Sequence, residues 1–131
     1  MLKDMLVGYN DQITEAKFKK TKHPFNMDEQ YIVMSTNSHI MKYIDLKTKN
    51  MSLIKGHKEI VLTLDLYEDF MISSGKDKVI KLWKKVESTF VVLANYSGHT
   101  EAVNYINFAP KTANMFVSCS SDKNIKTWDL E

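Results

Sequence analysis

The chain has 131 residues, 44% of them hydrophobic and 26% charged, with a formal net charge of +2. Such a composition can build a globular core, and so slight a charge gives no overall field to gather nucleic acid or a membrane surface. All 18 basic residues are lysine, so the guanidinium forks that read bases and grip phosphates in bidentate fashion are missing. Cys119 is the single cysteine, which leaves no internal disulfide and fits a reducing, intracellular compartment. The N-terminal stretch lacks the apolar run of a signal peptide, and no segment has the length of a membrane span.

In chain order, residues 1–7, MLKDMLV, read as a short strand. Residues 8–18, GYNDQITEAKF, then align without gaps on GHKEIVLTLDL at 56–66 and on GHTEAVNYINF at 98–108. Gly8, Gly56 and Gly98 share a place, as do the acidic Asp11, Glu59 and Glu101 and the apolar Ile13, Val61 and Val103. Ala16, Leu64 and Ile106 follow, then Phe18, Leu66 and Phe108. This apolar spacing predicts, in each copy, a strand buried between neighbouring layers.

The polar stretch 19–30, with Pro24, reads as an extended loop. Strands are expected at 31–34 and 40–44, followed by an exit turn at 45–48 and an outer strand at 51–54. The second copy has a short loop at 67–69, strands at 70–74 and 79–83, and an outer strand at 91–94. The third has the loop APKTAN and strands at 115–119 and 125–128. The units are therefore 8–55, 56–97 and 98–131, the last lacking its final strand, with 1–7 as the outer strand of a preceding unit.

The second and third copies open on Gly-His and close on a tryptophan, Trp83 or the pair Trp128-Asp129. With copies of about 40–45 residues, the chain resembles the WD40 repeat proteins, whose unit is a four-stranded propeller blade. The resemblance implies an all-β fold, a partial WD40 β-propeller of about three four-stranded antiparallel blades. It also implies a buried tetrad in each well-formed blade: His57, Ser73, Asp77 and Trp83, then His99, Ser118, Asp122 and Trp128. The first copy carries Tyr9, Met34, Ser38 and Ile44 at those places and has to rely on packing.

A Ser-His-Asp set also suggests a hydrolase. Against that reading, the set occurs twice in repeat register, each time with a tryptophan, and no Gly-x-Ser-x-Gly elbow is present. His23 and His39 lack partners at zinc spacing, Gly75-Lys76 lacks the upstream glycine of a phosphate loop, and Cys119 reads as a small core residue. No catalytic residue, cofactor or metal is expected.

Recognition is expected on one propeller face, at the turns that open each copy and those between its second and third strands. The candidates are Lys58, Glu59, Ile60 and Lys76, with Thr100, Glu101, Ala102 and Ser121. Lys42, Lys81 and Lys126 each stand two residues before the tryptophan position, where the stem covers apolar surface and the ammonium stays in water. The run holding Lys17, Lys19, Lys20 and Lys22 reads either as a solvated loop or as a weak or indirect contact for RNA phosphates.

A narrower resemblance covers residues 8 to about 101, in the series GYNDQITEAKF, IVMSTNSHIMKYIDLKT, GHKEIVLTLDL, SSGKDKVIKLW and SGHTEAV. It is to the start of the second propeller in the transducin-beta-like WD40 subunits of the small-subunit processome, which work with the U-three small nucleolar RNA. This implies a nucleolar scaffold for pre-ribosomal RNA processing and small ribosomal subunit biogenesis, acting through other proteins of a large assembly. Trp83-Lys84 departs from the Trp-Asp pattern. The alternatives are a general WD40 adaptor in ubiquitin ligation, signalling or trafficking, and a direct RNA-binding module. Sheet faces left without a neighbour predict that the isolated chain self-associates.

Overall fold

A computed structural model describes residues 1–2, 5, 12–20 and 30–130. Of the opening strand expected over 1–7, only Met1, Leu2 and Met5 are among them; Gly8, Tyr9, Asp11, Lys22, His23 and Pro24 lie outside the described residues. The described residues are all-β, in three antiparallel sheets. The first sheet holds β1 (Ile13–Phe18), β2 (Tyr31–Thr36), β3 (Met41–Asp45) and β4 (Met51–Ile54), and the second holds β5 (Val61–Tyr67), β6 (Phe70–Gly75), β7 (Ile80–Val86) and β8 (Thr89–Tyr96). The third holds β9 (Val103–Phe108), β10 (Met115–Ser120) and β11 (Ile125–Asp129). Spatial order follows chain order in every sheet, so each hairpin joins neighbours.

The copies superpose in register as well as in sequence. Ala16 stands opposite Met34, Leu64 opposite Ser73 and Ile106 opposite Ser118. Ile32 likewise faces Ile44, Met71 faces Trp83 and Phe116 faces Trp128. A bulge recurs at the start of each first strand, beside Ile13, Val61 and Val103, where it turns the chain out of the ladder.

The sheets pack face to face through two apolar cores. Tyr31, Val33, Met41, Tyr43 and Ile54 of the first sheet meet Val61, Leu64, Leu66, Met71, Trp83 and Phe90 of the second. Tyr67, Ile72, Ile80 and Leu82 on the other side of the second sheet meet Val103, Ile106, Phe108 and Phe116 of the third. β5 is therefore buried on both faces: every residue but the half-buried Leu62 is buried, the polar Thr63 and Asp65 included. In β1, among the described residues, Ile13 is 46% and Phe18 61% exposed, on one of the sheet faces expected to stand without a neighbour. These side chains occupy the face of the first sheet that turns away from the second, whereas their counterparts Val61 and Leu66 meet a preceding sheet.

The first strand of each sheet is an edge, and an edge strand presents backbone N–H groups that no ladder partner takes. In β5 and β9, side chains from the preceding sheet take such groups instead. Leu64 N–H donates to Glu15 Oε1 at 3.3 Å, Ile106 N–H to Thr63 Oγ1 at 3.1 Å and Phe108 N–H to Asp65 Oδ2 at 2.8 Å. These bonds fix the lateral position of each sheet on the last, and with it the relative placement of the turns.

Candidate interaction site

The turn before β5 and the turn between β6 and β7 meet at one end of the second sheet, through a chain of side-chain hydrogen bonds. The Trp83 indole N–H donates to Ser73 Oγ at 2.8 Å, the Ser73 hydroxyl donates to His57 Nε2 at 2.6 Å, and His57 Nδ1–H donates to Asp77 Oδ2 at 2.7 Å. The third sheet repeats this chain through Trp128, Ser118, His99 and Asp122 at 2.9, 2.7 and 2.8 Å. The tautomer follows from the network, since the indole and the carboxylate leave one consistent direction for the protons. Every polar group along the chain is paired, as burial demands.

Local sequence explains why these residues meet. Asp77 and Asp122 each close a tight turn by accepting the N–H two residues on, from Val79 at 3.3 Å and Asn124 at 2.9 Å. The lysine after each aspartate, Lys78 or Lys123, takes a left-handed conformation with φ of 68° or 72°. The other carboxylate oxygen reaches across to the start of the copy and accepts Lys58 N–H at 3.4 Å or Thr100 N–H at 3.1 Å. Gly56 precedes His57 because the indole lies on it: a Cβ there would stand 2.6 Å from Trp83 Cη2, and one at Gly98 3.2 Å from Trp128 Cη2.

Burial alone would push the Asp77 carboxyl up, but the hydrogen bond from His57, with the Val79 and Lys58 N–H groups, holds it below the usual carboxylate range. Asp122 is held lower still: burial is again outweighed, here by His99 and the Asn124 and Thr100 N–H groups. Ser73 and Ser118 are fully buried and already bonded on both sides. Neither hydroxyl is open to a substrate carbonyl. In the first sheet Met34 and Ile44 fill the serine and tryptophan places as buried apolar groups. Ser38 keeps part of the aspartate's role, with its Oγ accepting Ile40 N–H at 3.3 Å.

These bonds gather the surface turns into two patches at the same end of adjacent sheets. Lys76 N–H donates to the Ile60 carbonyl and Ser121 N–H to the Ala102 carbonyl, both at 3.0 Å. Lys58, Glu59 and Ile60 thus sit beside Lys76, and Thr100, Glu101 and Ala102 beside Ser121. Lys58, Glu59, Lys76, Thr100, Glu101 and Ser121 are exposed, while Ile60 and Ala102 are half-buried. Asn104 joins the second patch, its side-chain amide donating to Ser121 Oγ at 2.9 Å. Sequence reasoning missed it, although a polar residue within the apolar pattern of β9 was a usable signal.

The lysine run is directed inward on the molecule's own acids. Lys17 Nζ lies 4.0 Å from Glu15, and Lys19 Nζ 3.8 Å from Asp69. Lys20 Nζ lies 3.0 Å from Asp65, whose side chain is fully buried. Lys22 lies outside the described residues. Of the other recurrent lysines, Lys81 donates to the Asn95 side-chain carbonyl at 2.9 Å along the outer strands.

The WD domain, G-beta repeat pattern matches residues 48–84 and 90–129, each match taking the outer strand of one sheet and the first three strands of the next. Transducin beta-like protein 3 of Bos taurus is 29% identical over 132 aligned positions, covering 98% of this chain and 16% of that protein. The protein of the same name from Homo sapiens is 26% identical with the same coverage. Methylosome protein WDR77 of Xenopus laevis is 28% identical over 110 positions, 79% of this chain and 32% of that one. The chain therefore spans 16% of the length of the transducin beta-like proteins it matches. Repeated sheets in one register and a repeat pattern that matches more than half of the sequence lead to one conclusion: the chain belongs to the WD40, or WD domain G-beta repeat, family.

Proposed function

We propose that the chain is a non-catalytic protein-interaction scaffold that works in pre-ribosomal RNA processing and small ribosomal subunit biogenesis, in the nucleolus. The observation that carries the scaffold reading is the division of labour at the turn end of the sheets. The His-Asp-Ser-Trp groups are buried and occupied in holding the turns, while the exposed Lys58 and Lys76 of one patch give way to Thr100 and Ser121 in the other, a difference that suits recognition of dissimilar partners. Lys58, Glu59, Ile60 and Lys76 form one recognition patch and Thr100, Glu101, Ala102 and Ser121 the other.

The ribosomal setting rests on the resemblance of residues 8–101 to the processome subunit, supported by similarity over 98% of the chain to transducin beta-like protein 3. Direct RNA binding is the weaker reading, because Lys17, Lys19 and Lys20 are engaged with acidic side chains. Tagging the protein in cells and identifying its neighbours by cross-linking tests the reading. Nucleolar signal with small-subunit pre-ribosomal proteins is the expected result. Enrichment of ubiquitin-ligase or trafficking components outside the nucleus contradicts the setting and favours the general adaptor.

A further inference from the structure

We propose that the turn end of the middle sheet docks an acidic protein segment, one rich in aspartate and glutamate. The proposal rests on the scaffold reading above and gives one of its partners a chemistry. The two turns at that end, residues 55–60 and 75–79, carry four exposed lysines, Lys55, Lys58, Lys76 and Lys78. Of the two carboxylates among them, Asp77 is turned inward, on the His57 ring at 2.7 Å and on the Val79 and Lys58 N–H groups at 3.3 and 3.4 Å. Glu59 is the one that is exposed. The middle sheet is enclosed on both faces by sheets of this chain, and these turns are an end that it leaves in solvent.

The lysines at the opposite end of the sheets are spent within the fold. Lys17, Lys19 and Lys20 lie 4.0, 3.8 and 3.0 Å from Glu15, Asp69 and Asp65, and Lys85 lies over the Tyr31 and Tyr43 rings at 5.4 and 6.0 Å. Lys55, Lys58, Lys76 and Lys78 form no ion pair among the described residues. Their backbones share one framework, since Lys76 N–H donates to the Ile60 carbonyl at 3.0 Å and Lys78 N–H to the Gly75 carbonyl at 3.2 Å. A group of like charges held together without internal partners raises the local potential for anions and steers an oppositely charged partner onto it.

A carboxylate-bearing protein segment fits these turns better than RNA. Single-stranded RNA is held by aromatic platforms as well as by charge, and neither turn contains Phe, Tyr or Trp. The chain has no arginine to grip phosphates in bidentate fashion. An ammonium is a compact point charge on a flexible stem, which pairs with a carboxylate without a fixed direction. The half-buried Ile60 and Val79 beside the lysines add apolar contact that a side chain of a protein segment covers and a phosphate backbone does not. The third sheet lacks this pattern: in its turns the exposed Lys123 is balanced by the exposed Glu101, with Thr100 and Ser121 around them.

Fluorescence anisotropy of a labelled polyglutamate peptide on the purified chain tests the proposal, with a labelled oligouridylate as the rival ligand. At low ionic strength the peptide is expected to bind, more tightly than the oligouridylate, with an affinity that falls as salt screens the charges. Lys58→Gln combined with Lys76→Gln is expected to weaken peptide binding about five-fold, the loss of two exposed charge pairs. Lys47→Gln combined with Lys84→Gln removes the same charge from exposed lysines at the opposite end and is expected to leave peptide binding unchanged. A peptide that does not bind, or that binds both double variants equally, overturns the proposal. So does tighter binding of the oligouridylate that is lost in the Lys58 and Lys76 double variant. A chain that recovers its small-subunit partners in cells but does not bind polyglutamate contradicts this proposal and leaves the scaffold reading standing.

Discussion

Asp65 accepts the backbone N–H of Phe108 at 2.8 Å. Its other oxygen holds the Lys20 ammonium at 3.0 Å, so one fully buried carboxylate ties the middle sheet to both of its neighbours. A carboxylate taken out of water is costly unless it is paired and hydrogen-bonded, and Asp65 is both. Asp65→Ala leaves the Phe108 N–H without a partner in a buried place, which is expected to cost about 1–3 kcal/mol. Asp65→Asn keeps an acceptor there and is expected to cost less. Urea unfolding of the three proteins measures the difference. Equal stability of all three contradicts a stabilising role for the clasp.

Asp77→Ala removes the acceptor of the buried His57 Nδ1–H and unties the turn that also receives Lys58 N–H. The expected loss is again about 1–3 kcal/mol, read as a lower melting temperature. Asp77→Asn keeps an acceptor oxygen and is expected to fall between the two. A melting temperature unchanged in Asp77→Ala contradicts the structural assignment of the tetrad.

The tetrads were legible because each member is a distinctive residue type, repeated at a constant spacing in the second and third copies. The bonds between sheets were not. In Glu15–Leu64, Thr63–Ile106 and Asp65–Phe108 one partner is a backbone N–H, which no residue type announces. Their trace in the sequence is Thr63 and Asp65 set among the apolar residues of β5, an alternation the repeat alignment passed over. The lysine run was legible as charge, but its destination depended on which acids the fold brought near.

Acid titration separates two opposing contributions. Asp77 and Asp122 lie below their ordinary values when folded, because His57 or His99 and the backbone N–H groups outweigh burial. The unfolded chain then binds more protons, so their stabilisation is full above the unfolded aspartate value of about 3.9 and is lost as pH falls below it. Glu15 is raised, because burial outweighs the Leu64 N–H and Lys17. Its contribution is present below the unfolded glutamate value of about 4.3 and is lost as pH rises through the raised folded value. Urea midpoints measured against pH are expected to fall steeply below about pH 4. Glu15→Gln is expected to be more stable than the wild type at neutral pH, with the difference shrinking on acidification. A Glu15→Gln chain less stable at neutral pH contradicts this account.

The chain's two tryptophans differ in access to solvent. Trp83 is 1% exposed, whereas Trp128 is half-buried on β11, at the edge of the third sheet. Iodide is therefore expected to quench the Trp83→Phe protein, which reports Trp128, more strongly than the Trp128→Phe protein, which reports Trp83. Equal quenching contradicts the placement of the two rings.

On the proposed reading, the turn end of the second and third sheets is expected to carry the partner contacts while the groups beneath it hold the fold. The most direct measurement is partner recovery by the tagged protein with Lys58 and Lys76 both changed to glutamate, quantified against the wild type. Both side chains are exposed, and surface substitutions of this kind are usually within about 0.5 kcal/mol of neutral. The melting temperature is therefore expected to hold while recovery of the cross-linked partners falls at least ten-fold. An unchanged set of partners at unchanged yield, from a protein that melts with the wild type, contradicts the claim.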